Sequence, residues 1–290
     1  MRSFRTLALG ALMLVLVSAC SAGGGSKATV KIGSDGFYEA KLMGEIYAQA
    51  LEANGYTVTR NLGLGARKVT TPALESGQID LKPEYIGSGL AYYSQVATGD
   101  AAANAAALAA VLGTKGGGIS VLGYTPAQDQ NAFVVRKDTA DQFKLTKMSD
   151  LTAVQDQLKF GLATDCPTNP VCGAALKAAY GIDTTKATLL SACDAPMAQA
   201  LLAKTIDVAE LCSTQPDISV NGWVLLQDDK ATQPADNIAP IVRNDYLAKV
   251  DKAAFSKILN DVSAKMDTAT LLKLGTAFSV DKKDIADVAK

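Results

Sequence analysis

From residue 29 onward the chain alternates short β-branched runs with segments whose apolar residues recur at helical spacing, and that order leaves few architectures open. Thr29-Val30-Lys31-Ile32 reads as a strand. Leu42, Met43, Ile46, Tyr47, Ala50 and Leu51 then fall on one helical face until Asn54-Gly55 stops the helix. Tyr56 to Thr59 restarts an extended pattern, Val69 to Ser76 reads as a helix closed by Gly77, and Ile79-Asp80-Leu81 as another strand. This β-α-β-α order predicts helices packed on a mostly parallel sheet. The alanine-rich run Ala101 to Leu112, broken by Gly116-Gly117-Gly118, predicts a surface helix with no role of its own.

A second series follows. Ala132 to Val135 and Lys159 to Ala163 read as strands, Ala174 to Ala179 and Pro196 to Ala203 as helices, and Val224-Leu225-Leu226 and Ile238 to Val242 as later strands. From Tyr246 the chain is amphipathic and helical, with Phe255, Ile258, Leu259 and Val262 at helical spacing. Two α/β halves fit the 290 residues. In such folds ligands bind at the carboxyl ends of the strands and between domains.

Composition removes several functions. There is no histidine, so Ser-His-Asp and Cys-His nucleophiles and His-ligated zinc are excluded. With 28 Lys plus Arg against 29 Asp plus Glu, the formal charge of -1 gives no footprint for nucleic acid. At the N-terminus Arg2 and Arg5 precede an apolar or glycine run from Leu7 to Val17, too short to span a bilayer. Residues 1–19 therefore read as an export signal peptide. Val17-Ser18-Ala19-Cys20 resembles a bacterial lipoprotein processing site, so Cys20 is the expected lipidated residue. Residues 20–27, including Ser21-Ala22-Gly23-Gly24-Gly25-Ser26, read as a lipidated flexible tether, which would hold the chain at the outer face of the cell membrane.

Export sets how the remaining cysteines are read. Cys166, Cys172, Cys193 and Cys212 form an even set with no Cys-x-x-Cys spacing, which predicts two disulfides rather than a metal site. Three pairings exist. Cys166 with Cys172 and Cys193 with Cys212 is favoured, because each closes a short local loop and would stabilise by about 2 to 3 kcal/mol in the chain-entropy account.

Five blocks then occur in one order: Lys31-Ile32-Gly33-Ser34, Leu62-Gly63-Leu64-Gly65, Gly77-Gln78-Ile79-Asp80-Leu81-Lys82-Pro83-Glu84-Tyr85-Ile86-Gly87-Ser88, Asp129 to Val135, and Ala239-Pro240-Ile241-Val242-Arg243. Together they resemble the glycine betaine, choline and proline binding proteins of ABC-type osmoprotectant importers, over most of the chain. The resemblance implies a two-lobed periplasmic-binding-protein fold of the second topological type. Lobe 1 is expected from residues 28–130 plus 237–290 and lobe 2 from 131–236, with crossovers near Asn131 and Asn237. It also implies a monomer without cofactor or metal that closes on a small solute, does no covalent chemistry, and docks on a membrane permease driven by an ATPase.

A quaternary ammonium cannot donate a hydrogen bond, and aromatic faces hold it through cation–π attraction. Tyr85 matches the family tyrosine, and Ser88 stands where a hydroxyl meets the ligand carboxylate. The remaining cage does not carry over. Asp35 stands where the family often has a cation, and Asn131 and Asn237 stand where aromatics would help. Asp129, Phe37 and Thr214 complete the candidate ligand-binding set. Each has a plainer reading: Tyr85 as a core aromatic, Ser88 as a helix cap, Phe37 as a hydrophobic staple, Asp129 as a solvated strand end, Asn237 as a turn residue, and Thr214 as part of a disulfide loop. With one Trp, nine Tyr and seven Phe there are few aromatics for a cage. A polyol, sugar-like or phenolic ligand, or a sensor or assembly lipoprotein of the same fold, stands as the alternative.

Overall fold

A computed structural model describes residues 28–290. The signal peptide, Cys20 and the tether up to residue 27 lie outside the described residues.

Among the described residues, ten strands divide evenly between two sheets. The first holds β1 (Val30–Gly33), β2 (Val58–Asn61), β3 (Leu81–Tyr85), β4 (Ile119–Val121) and, from the far end of the chain, β10 (Ile238–Arg243), in the order β2-β1-β3-β10-β4. The second holds β5 (Asn131–Val135), β6 (Phe160–Ala163), β7 (Thr188–Leu190), β8 (Val208–Cys212) and β9 (Val224–Leu225), in the order β7-β6-β8-β5-β9. In each sheet one strand is reversed. β10 runs antiparallel to β3 and β4, and β5 antiparallel to β8 and β9, while β1 with β2 and β3, and β6 with β7 and β8, are parallel. The reversed strands are those the chain enters when it passes from one sheet to the other.

Helices cover both faces of each sheet. α1 (Tyr38–Ala53) buries Leu42, Met43, Ile46, Tyr47 and Leu51 on one face of the first sheet, with Phe255, Leu259 and Leu271 from the C-terminal helices. It stops at Asn54, before Gly55 at φ +82°, a conformation that glycine adopts without strain. On the opposite face lie α2 (Arg67–Glu75), α3 (Ile86–Tyr92) and α4 (Ala101–Leu112), through Ala73, Leu74, Leu90, Leu108 and Leu112. α4 differs from expectation. Its Asn104 is buried and donates through Nδ2 to Ala235 O at 2.9 Å, so the helix fixes the chain entering β10.

The second sheet is flanked by two apolar clusters, one with Phe133, Val135, Leu162 and Val208, the other with Val134, Met197, Leu201 and Leu211. The helix read at Ala174 to Ala179 begins earlier, at Pro170, and winds as wide π-turns through Tyr180. The disulfides are Cys166–Cys172 and Cys193–Cys212, the local pairing.

Candidate functional site

Because β1, β2 and β3 are parallel, their carboxyl ends share one sheet edge; β6, β7 and β8 do the same in the second sheet. The residues just past these ends meet across a cavity of about 380 Å³. Asp35, Gly36 and Phe37 follow β1, Gly65, Ala66 and Arg67 follow β2, and Tyr85 ends β3 with Ser88 one turn into α3. Facing them, Thr164, Asp165 and Asn169 follow β6, Ser191, Ala192 and Cys193 follow β7, and Glu210 and Cys212 lie on β8. The reversed strands contribute their first ends: Asn131 pairs with Cys212, and Asp236 precedes Ile238, which pairs with Tyr85.

The first wall is a charge network. Lys82 is fully buried and donates to Asp35 Oδ1 at 3.0 Å, lies 3.0 Å from Glu84 Oε2, and also bonds Thr70, whose hydroxyl donates to Asp35. Arg67 Nε donates to Glu84 Oε1 at 3.0 Å. Burial alone would raise the Glu84 carboxyl, but Arg67 and Lys82 hold it well below its ordinary value. Asp35 is thus the neutralised partner of a buried lysine.

The other acids lack such cations. Asp236 accepts the Gly87 and Ser88 N–H groups at 2.8 and 3.0 Å and the Ser88 hydroxyl at 2.5 Å, yet burial pushes it up to about 6. Glu210 interrupts a wholly buried strand. Burial raises it to about 7 although Ala163 N–H donates to its Oε2 at 2.7 Å, and the same oxygen lies 3.1 Å from Cys172 Sγ. Cys166, Cys172 and Glu210 have the proximity of a metal cluster, but both sulfurs are spent in the disulfide.

Behind the cavity, Glu39 of α1 is buried and accepts the Tyr85 hydroxyl at 2.8 Å and the Thr214 hydroxyl at 2.5 Å. Tyr38 OH donates to Thr214 O at 3.1 Å, and Thr214 N–H to Asp129 Oδ1 at 3.1 Å. Burial and the neighbouring Asp129 raise Glu39 strongly, and burial raises Asp129 to about 6 despite its bonds to Thr214. Tyr38 and Glu39 belong to the first sheet's α1 and Thr214 lies two residues past the end of β8, so these bonds join the two halves.

Of the sequence candidates, Asp35, Phe37, Tyr85, Ser88, Asp129 and Asn131 line the cavity. Two do not. Thr214 spends its side chain on Glu39, and Asn237 donates through Nδ2 to Thr125 O at 2.9 Å, which fixes a crossover segment. Ser88 is not the α3 cap, because Tyr85 holds that position; its hydroxyl orients Asp236. Phe37 occupies the α1 cap position and lies 5.4 Å, centroid to centroid, from Tyr85. Sequence reasoning missed Arg67, Glu210 and Asp236. Glu210 carried a signal, an acid inside the apolar run Val208-Ala209-Glu210-Leu211-Cys212.

Residues 28–290 match the family described as the substrate binding domain of ABC-type glycine betaine transport systems. The chain belongs to this family. A curated relative, the glycine betaine-binding protein YehZ of Escherichia coli, is 29% identical over 295 residues, covering 98% of this chain and 95% of that protein. A glycine-betaine-binding protein of Pseudomonas aeruginosa is 24% identical over 96% of this chain and 91% of its own length. A solved structure described as a glycine betaine/carnitine/choline ABC transporter superposes with a TM-score of 0.70 at 21% identity, covering 91% of this chain and 96% of that one, and shares the fold.

As a family member this chain is the extracytoplasmic solute receptor of an ABC importer, a transport component with a permease partner. Among the described residues no helix is long and apolar enough to cross a membrane.

Proposed function

We propose that the receptor binds a compact onium solute of the glycine betaine or choline type in the cavity between the two sheet edges, within lobes of residues 28–130 plus 237–290 and 131–236. The observation that carries this reading is the charge of the walls. Beyond Asp35, which Lys82 neutralises, Asp129, Asp165, Glu210 and Asp236 face the cavity against one lining guanidinium, Arg67, and the two aromatic faces are Phe37 and Tyr85. A cation gains from such walls without donating a hydrogen bond, and the aromatic faces add cation–π attraction. Arg67 is the group for a ligand carboxylate. A neutral polyol gains nothing from surplus negative charge.

Lobe closure on the solute delivers it to the permease, and a lipid on Cys20 keeps the monomeric receptor beside it. Calorimetric titration of glycine betaine and choline, with the uncharged choline isostere 3,3-dimethylbutanol as control, tests the ligand class. Binding of an onium compound with no binding of the isostere is expected; equal binding of the isostere, or silence from every onium compound, overturns it. Cys20→Ser should release the protein from membranes.

A further inference from the structure

The two walls of the cleft are held by different means. On the β1 to β3 side, strand-end loops are tied to one another by hydrogen bonds and charge. Gly36 N–H donates to Gly65 O at 2.8 Å, Leu64 N–H to Ser34 O at 3.1 Å and Gly63 N–H to Ser34 Oγ at 2.9 Å, while buried Lys82 clamps Asp35. On the β6 to β8 side the backbone bonds of the loop after β6 are mostly local, with Thr168 and Asn169 N–H both donating to Asp165 O at 3.0 Å. Cross-links replace the missing ties.

Cys166 follows β6 by three residues, Cys193 follows β7 by three, and Cys212 ends β8. The Cys166–Cys172 bond closes the loop after β6 onto the helical segment starting at Pro170. The Cys193–Cys212 bond ties the loop after β7 to the end of β8, passing over β6, which lies between them in the sheet. The cavity-lining residues flank the half-cystines: Thr164, Asp165 and Asn169 surround Cys166, and Ser191 precedes Cys193, which itself lines the wall with Cys212.

We propose that the two disulfides are positioning groups of the ligand site: they hold the strand-end loops that present Thr164, Asp165, Asn169 and Ser191, and solute affinity depends on them. A loop that must be ordered when the solute arrives subtracts its conformational entropy from binding, whereas a cross-linked loop is ordered beforehand. Apolar clusters cover both faces of the second sheet; Cys166 and Cys172 are buried in one of them among Phe133, Leu162, Leu176 and Val208, and the other, built on Val134, Met197, Leu201 and Leu211, contains no half-cystine. The inference rests on the cleft being the solute site but not on which solute binds.

Paired variants Cys166→Ala/Cys172→Ala and Cys193→Ala/Cys212→Ala of the full chain test this without leaving a lone thiol. Amide hydrogen exchange of residues 164–169 in the first pair and 191–193 in the second should quicken by at least about tenfold, with residues 33–37 unchanged as the internal reference. The dissociation constant for glycine betaine should weaken by at least about tenfold, with a cooperative melt retained. Unchanged exchange, or affinity within about twofold of the parent, overturns the proposal; so does loss of the cooperative melt, which would make the cross-links supports of the fold. Should the parent bind choline and not glycine betaine, choline serves as the probe; should it bind neither, the solute assignment falls while the exchange measurement still decides whether the cross-links order these loops.

Discussion

Tyr85 serves the cavity with two separate parts of its side chain. The hydroxyl is committed to Glu39, and the ring lies next to Phe37, where in the proposed onium site it is the face offered to the cation. Cation–π attraction uses the ring and not the hydroxyl. Tyr85→Phe should therefore keep most of the affinity for an onium ligand, while Tyr85→Leu should weaken it by about 0.5 to 2 kcal/mol, read by calorimetric titration. Equal losses in both variants would place the residue's role in the Glu39 bond. Thr214 is the converse case, a residue outside the cavity lining whose side chain joins the halves. Thr214→Val keeps the volume and removes the donor to Glu39, leaving a buried acid short of a partner at about 1 to 3 kcal/mol. Because the bond crosses between the sheets, the loss should appear as faster solute dissociation in stopped-flow and a larger radius of gyration in X-ray scattering. A dissociation rate equal to the parent's would remove Thr214 from closure.

Among the elements, α3 depends on a close approach that only glycine allows. A Cβ on Gly87 would lie 2.7 Å from Ala235 O and 2.9 Å from Pro234 Cγ, so the start of α3 sits directly on the chain entering β10. Gly87→Ala should destabilise by about 1 to 3 kcal/mol through overpacking and should also displace Asp236, lowering both melting temperature and solute affinity; a variant that melts like the parent would refute that packing. This contact also marks where sequence reading stops. Periodicity exposed α1 because Leu42, Met43, Ile46 and Tyr47 repeat along one short stretch, and Tyr85 and Ser88 stood out because they fall in the block from Pro83 to Ser88 that resembles the family's. Asp236 acquires meaning only by meeting Ser88 across 148 positions of chain, and Thr214 only by meeting Glu39 across 175. Such pairings come from topology, namely the reversed strands that bring distant chain ends beside the parallel edges. Arg67 was hidden differently: its place past β2 depends on where that strand ends, the least legible property of a short strand with partly exposed residues.

For the whole molecule the consequence is a dependence on pH whose sign follows from the direction of the shifts. Burial raises Asp236 and Asp129 to about 6 and Glu210 to about 7. Each is neutral below its value and negative above it. A cationic solute favours the ionised forms, so its affinity should climb as pH rises from about 5 to about 8, and binding should release protons over that interval. Stability without ligand runs the other way. An acid whose folded pKa exceeds its unfolded value contributes stability that is full below the unfolded pKa of about 4 and is lost as pH rises through the folded one. The ligand-free melting temperature should thus fall between pH 5 and pH 8 through these three groups, while the increment added by saturating glycine betaine should grow. Titrations in buffers of different ionisation enthalpy measure the proton release directly. An affinity that stays flat or falls with rising pH would mean that these acids do not face the bound cation, and the charge argument for an onium ligand would go with it.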